Sequence, residues 1–297
     1  MKEKIQYFLA LGLIKFAKFA PKSFIFAFFD KLALFASWKL SRRVKVAQDN
    51  LRAAYPQKSE SELHALAIEN FRSIARTLTD TLLFYNGRLK FDDLISNGEQ
   101  ALERVRELKG DNPHGILFFT AHFGNWEILA NFFGANGFPV SVVGRRSDNE
   151  LIEERLVAPF RERYGNDLIY KDDAMRRLVQ ALKQGRNVGI LPDQKPGPKN
   201  SLITTFFGRQ CYTTKTIASL YLKFHPVLIP IFARRGADNR YEIVIKDFPP
   251  PPEGLDKDEA ELFITQKCND IFEEVVRTAP QQRLFRQHRR PDSRRAN

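Results

Sequence analysis

The run HGILFFTA (114 to 121) is apolar almost without interruption, and it is the feature that most restricts the fold. A strand with one wet face alternates apolar and polar side chains, whereas a continuous run is stable where both faces are covered. The same form returns in NVGILPD (187 to 193), while VLIPIFARR (227 to 235), FPVSVVG (138 to 144) and YEIVIKDF (241 to 248) read as further strands. Between them, WEILANFFGANG (126 to 137), AMRRLVQALKQG (174 to 185) and TTKTIASLYLKFH (213 to 225) carry helical spacing, the first closed by Gly134 or Gly137. Residues 60 to 85 predict a long amphipathic helix, and 98 to 109 a charged one. Strand, helix, strand in so short a span implies a right-handed crossover. The expected fold is therefore α/β, with a largely parallel central sheet flanked by helices.

In such sheets chemistry gathers at the carboxyl ends of strands. TAHFGNWE (120 to 127) and LPDQ (191 to 194) both occupy such ends. Imidazole is the usual base for activating a hydroxyl near neutral pH, and a carboxylate on its other nitrogen fixes the tautomer. With His122 in a turn, Gly124 permitting that turn beside a substrate, and Asn125 capping the next helix, Glu127 is expected to fold back toward His122. The spacing alone favours the plainer reading, a strand end and a helix start with Glu127 meeting a positive helix N-terminus.

Forty-seven Lys and Arg against 35 Asp and Glu give a net charge of +12, which favours an anionic partner: nucleic acid, a phospholipid surface or a phosphorylated substrate. Apart from the tail RQHRRPDSRR, nothing resembles a nucleic-acid recognition module or a basic stripe interleaved with aromatics, so no nucleic-acid partner is expected. The histidines at 64, 114, 122, 225 and 288 form no metal-type spacing, and no metal is expected. Two cysteines, Cys211 and Cys268, point to a reducing compartment. No G-x-S-x-G elbow is present for a serine hydrolase.

The first forty residues are crowded with Phe and Leu, yet lysines at 15, 18, 22 and 31 interrupt any run long enough to span a bilayer. Lysines 4, 15, 18 and 22 fall near helical multiples and leave a Phe and Leu face opposite, and Pro21 divides the stretch in two. We read residues 1 to 45 as amphipathic helices that lie in a membrane interface, and 46 to 297 as the α/β domain.

HFGNWE fits the H-x4-D/E motif of the lysophospholipid acyltransferase superfamily, and its surroundings resemble the bacterial lipid A biosynthesis acyltransferases, the lauroyl and myristoyl transferase family. QDNLRAAYP (48 to 56), GRRSDN (144 to 149), RYG (163 to 165), LPDQKPG (191 to 197), TTFFG (204 to 208), the threonines 213 and 214, and TAPQQ through HRR (278 to 290) follow in that family's order. The resemblance implies transfer of a fatty acyl chain from a thioester, of acyl carrier protein or coenzyme A, to a hydroxyl of an anionic lipid A precursor. It places the reaction at the cytoplasmic face of a bacterial inner membrane and calls for no cofactor. Another phospholipid or glycolipid acceptor is the alternative. By the same resemblance His122 is the base and Glu127 orients and charges it. Arg145 and Arg163 serve lipid phosphates or the developing oxyanion. Asp193 and Gln194 join them as substrate-binding positions at the second strand end, Asp193 anchoring an arginine or a loop without transferring a proton. Phe206, Phe207 and Gly208 either line the acyl-chain path or pack the core. At the C-terminal end the sequence departs from its relatives, with LFRQHRR where a tryptophan commonly precedes H-R-R, and with Pro291 after it.

Overall fold

The computed structural model describes residues 1–170, 174–194, 196–197 and 200–284. The H-R-R stretch and the basic tail lie outside the described residues. Six helices precede the first strand: α1 (Lys2–Phe19), α2 (Lys22–Lys39), α3 (Ser41–Ala54), α4 (Glu60–Tyr85), α5 (Phe91–Leu94) and α6 (Gly98–Lys109). Then come β1 (Ile116–Phe119), α7 (Trp126–Ala135) and β2 (Val140–Gly144), followed by α8 (Glu150–Ile152) and α9 (Ala158–Arg161) joined by a π turn at Glu153–Val157. β3 (Asp167–Tyr170), α10 (Ala174–Lys183), β4 (Asn187–Ile190) and the pair β5 (Ser201–Phe206) and β6 (Arg209–Thr214) follow. The described chain closes with α11 (Thr216–Phe224), β7 (Val227–Arg235), β8 (Tyr241–Ile245) and α12 (Lys257–Thr278).

The central sheet has the order β3-β2-β4-β1-β7-β8. Its strands are parallel except β8, which turns back along β7 through a tight hairpin closed by Gly236 N–H donating to the Arg240 carbonyl at 2.7 Å. β1 lies inside the sheet, parallel to β4 and β7, and all four of its residues are buried. Because side chains alternate across a strand, Leu117 and Phe119 enter one core with Phe232, Phe272 and Ile190, while Ile116 and Phe118 enter the other with Phe132, Phe133 and Ile231. That two-sided burial is the physical reason for the unbroken apolar run. The register pairs Phe119 with Ile190, so the two chains leave the sheet side by side at its carboxyl edge.

β3 is short, and α12 begins at a capping box in which Asp256 and Glu259 satisfy each other's backbone N–H groups. The threonines expected to open a helix at 213 instead end β6, which pairs antiparallel with β5. Phe207 and Gly208 make the two-residue turn between these strands, both with positive φ, as such hairpins require.

α4 starts where Ser59 caps the Glu62 N–H and the Glu62 carboxylate returns to the Ser59 N–H. It forms a spine for α1 and α2. Ile25, Phe29 and Ala33 pack with Ala75 and Leu83, the Arg72 guanidinium grips both oxygens of Asp30 at 2.7 and 2.9 Å, and Arg88 donates to the Ala17 carbonyl at 2.8 Å. The phenylalanines therefore do not share one face. Phe29 points inward, while Phe8, Phe19, Phe24, Phe28, Phe35 and Trp38 are exposed. Among the described residues no helix is long and apolar enough to cross a membrane.

Candidate active site

The strand register decides the site. His122 follows Phe119 by the same number of residues as Asp193 follows Ile190, and adjacent parallel strands in register deliver the two side chains to one place. His122 Nδ1 stands 2.7 Å from Asp193 Oδ1, and the His122 backbone N–H donates to Oδ2 of the same carboxylate at 3.0 Å. On the other side of the ring, Gln194 Nε2 lies 3.0 Å from His122 Nε2. An ionised carboxylate can only accept, so Nδ1 carries the proton and Nε2 accepts from the Gln194 amide.

Asp193 is buried, with its side chain 1% exposed, and burial by itself would push its carboxyl up. The charge that His122 carries when protonated and that of Arg283, with the hydrogen bonds from the His122 ring and backbone, outweigh that and hold it well below the usual carboxylate range. Arg283 Nη1 is 2.9 Å from Asp193 Oδ2, and Nη2 donates to the Asp193 carbonyl at 3.3 Å.

Glu127 is placed differently from the expectation. It sits in the first turn of α7, but no hydrogen bond joins it to His122 among the described residues. Its carboxylate accepts from Arg161 at 2.6 and 3.1 Å and from the Trp126 indole at 3.2 Å. Burial would pull the Arg161 guanidinium down, yet Glu127 keeps it above its ordinary value. The Trp126 ring in turn lies 5.1 Å from the His122 ring, centroid to centroid. The reason is directional: on leaving the strand the imidazole turns toward β4, whereas the first turn of α7 faces α9.

The turn itself is built as the glycine suggests, though its space is used otherwise. Gly124 has φ +55, and a Cβ there would lie 1.7 Å from the Ala233 carbonyl oxygen. The room beside the turn is thus occupied by β7 rather than left for a substrate. Asn125 precedes α7 without a side-chain cap; its Oδ1 accepts from Thr81 Oγ1 at 3.3 Å.

Of the other expected residues, Gln194 joins His122, and two arginines stand apart. Arg145 follows the end of β2, 71% exposed and paired with the still more open Asp148. Arg163 packs its guanidinium over Tyr85 and Phe160 at 5.1 and 5.4 Å. Phe206 lies 5.5 Å from the Arg283 guanidinium, next to the His122 and Asp193 pair, while Phe207 is buried against Tyr55. Arg161, Arg283 and Trp126 carry no signal of their own in the sequence beyond lying in or beside the family-like stretches HFGNWE, RYG and TAPQQ through HRR. His64 is exposed on α4 and, with Trp38 and Lys45, lines a cleft of about 590 Å³ that contains none of these residues. Among the described residues no group of His, Cys, Asp and Glu is arranged to hold a metal ion.

This geometry sets an imidazole, a carboxylate and a buried arginine together at the sheet's carboxyl edge. The family model for bacterial lipid A biosynthesis acyltransferases matches residues 1–290. The chain belongs to this family. The lipid A biosynthesis lauroyltransferase of Escherichia coli is 27% identical over 288 residues, covering 95% of this chain and 90% of that protein. The lipid A biosynthesis palmitoleoyltransferase of the same organism is 28% identical, over 83% of this chain and 78% of its own length. Lipid A biosynthesis acyltransferase 2 of Shigella flexneri is 24% identical, over 93% and 86%. This lipid A acyltransferase homologue is accordingly an enzyme that transfers acyl groups.

Proposed function

We propose that the chain moves a fatty acyl group from the thioester of acyl carrier protein to a hydroxyl of a lipid A precursor, at the cytoplasmic face of a bacterial inner membrane. The observation that carries this reading is the imidazole held between Asp193 and Gln194, with Nδ1 protonated and Nε2 available as acceptor. The Gln194 amide stands where an incoming hydroxyl must arrive, so the acceptor lipid replaces it at Nε2. The imidazole then takes the hydroxyl proton as the oxygen attacks the thioester carbonyl. When the tetrahedral intermediate collapses, the C–S bond breaks and the imidazolium returns the proton to the leaving thiolate, giving an ester and a free thiol. Base catalysis of this type contributes about 100- to 10,000-fold.

In this reading Asp193 fixes the tautomer and stabilises the imidazolium. Glu127 acts one step removed: it fixes Arg161 and the Trp126 indole, whose ring lies against the imidazole. Arg145, exposed at a strand end, is suited to an anionic headgroup arriving from the membrane, because guanidinium presents a planar fork of donors. Exposed phenylalanines on α1 and α2, with lysines 4, 15, 18, 22 and 31 nearby in the sequence, support seating in an interface.

The test is transfer assayed with acyl-acyl carrier protein and acyl-coenzyme A as competing donors, together with mass spectrometry of lipid A from cells lacking and regaining the protein. Loss of one acyl chain, restored by the wild type but not by His122→Ala, is expected. An unchanged lipid A with an altered phospholipid or other glycolipid would move the acceptor to that class, and full activity of purified His122→Ala would end the mechanism.

A further inference from the structure

The catalytic turn is held from behind by residues 279 to 284, which run across it after α12. Gly124 N–H donates to the Gln282 carbonyl at 3.1 Å, Leu284 N–H to the His122 carbonyl at 2.8 Å, and Phe123 and Arg283 form an antiparallel bridge. The strap is anchored to two other elements. The Gln282 side chain both donates to and accepts from the Arg235 backbone, at 2.9 and 2.8 Å, and Asn70 on α4 donates to the carbonyls of Gln281, at 2.8 Å, and of Arg283. Each bond fixes backbone, so the strap places the Arg283 side chain with little freedom.

That side chain is 5% exposed and touches Asp193 twice, through its carboxylate and through its backbone carbonyl. Asp193 Oδ2 is shared between Arg283 and the His122 backbone N–H, which leaves Oδ1 for the imidazole. Phe206 covers the guanidinium from the side. Among the described residues no aligned acceptor serves Arg283 Nε or Nη1, so the Nη1 contact with Asp193 Oδ2 is an ion pair by distance rather than an aligned hydrogen bond. A purely structural arginine would be expected to spend its donors more fully, whereas this one directs its charge at one carboxylate.

We propose that Arg283 is a positioning residue for acyl transfer: by setting its charge against the Asp193 carboxylate and donating to the Asp193 carbonyl, it keeps that carboxylate aimed at Nδ1 and partly compensates its charge. This rests on His122 being the base. With Arg283 present, the imidazolium formed during the reaction faces a carboxylate already partly compensated, so it returns its proton to the departing thiolate more readily. Without it, Asp193 would still accept from Nδ1, but it would hold the imidazolium more tightly and in a less fixed plane.

The experiment compares Arg283→Gln, Arg283→Lys and His122→Ala in the full-length enzyme, with an acyl-acyl carrier protein donor and a lipid A precursor, recording kcat, KM and the pH profile of kcat. Arg283→Gln is expected to lower kcat roughly 10- to 100-fold, the size of loss seen when the partner orienting a metal-ligating histidine is removed, with KM within about 2-fold. Its acid limb is expected to move up, since a like charge near the imidazole is gone. Arg283→Lys keeps the charge, so its acid limb should stay where the wild type has it while kcat recovers in part. A folded Arg283→Gln enzyme with wild-type kcat and an unmoved acid limb overturns the proposal, provided His122→Ala is inactive. An active His122→Ala instead overturns the base assignment on which the proposal rests. If Arg283→Gln does not fold, Arg283→Lys decides: a shifted acid limb, or a loss confined to KM, overturns it.

Discussion

The His122 Nδ1 and Asp193 Oδ1 atoms stand 2.7 Å apart because β1 and β4 are neighbours in parallel register, not because the two residues are near in sequence. The pair is delivered by the sheet and needs no loop to fold back. An amide in place of the carboxylate would keep the shape but present N–H to the ring, favouring the wrong tautomer. Asp193→Asn is therefore expected to lower kcat by roughly 1,000- to 10,000-fold, as for other carboxylate and imidazole pairs, with little change in KM. Steady-state kinetics at saturating donor checks this, and a wild-type kcat would show that the carboxylate is dispensable.

The same contact predicts an acid-sensitive contribution to stability. Asp193 titrates well below its ordinary value of about 3.8 in the folded chain. A lowered folded value means that the unfolded chain binds the proton first, so the stabilisation is fully present above about pH 5 and is lost as pH falls through the folded value. The stability difference between wild type and Asp193→Asn, from urea denaturation, should shrink as pH falls below about pH 4. A difference that persists at low pH would mean that packing, not charge, holds the residue.

Much of the fold was legible because parallel strands buried on both faces must be written as apolar runs, and 114 to 121 is such a run. The long helix at 60 to 85 was equally plain from its spacing and coincides with α4. The partner of His122 was not legible. Both strand ends could be read as polar, but strand order and register are tertiary facts, and Asp193 could have sat several strands away. Glu127 is close to His122 in sequence, yet its carboxylate meets Arg161 while register brings Asp193 to the ring. Arg283 was hidden for the same reason: its contact spans 90 residues, and nothing local marks a buried arginine.

Glu127 and Arg161 form a paired unit, with side chains 24% and 26% exposed. Glu127→Ala leaves a largely buried guanidinium without its carboxylate, at an expected cost of about 1–3 kcal/mol, between the values for exposed and fully buried pairs. Arg161→Met should cost less, and the double variant should be more stable than Glu127→Ala alone. Thermal unfolding of the three proteins closes the cycle, and additive losses would show that the two residues do not depend on each other.

Gly124→Ala tests the turn. The added Cβ would overlap the Ala233 carbonyl, and the backbone there has φ +55, so β7 and the turn must separate. Because Asn125 N–H also donates to that carbonyl at 3.1 Å, the displacement would reach the start of α7. A loss of about 3 kcal/mol or more is expected, from overpacking and strained backbone together. Chemical denaturation measures it, and a stability within error of the wild type would mean that the strands part easily here.

The exposed aromatics of α1 and α2 make the last prediction. Phe24, Phe35 and Trp38 are 56%, 55% and 69% exposed, so replacing all three with serine removes little from the core that holds α2 on α4. Each apolar ring that enters an interface contributes up to about 1.5–3 kcal/mol when fully buried, while each lysine near an anionic leaflet adds about 1 kcal/mol at low salt. The triple serine variant should therefore lose binding to phosphatidylglycerol-containing vesicles at both low and high salt. Replacing Lys15, Lys18 and Lys22 with glutamine should weaken binding mainly at low salt, where the screening length is long. Cosedimentation at two ionic strengths separates the contributions. If the serine variant binds as the wild type does, the aromatic face is not what meets the membrane.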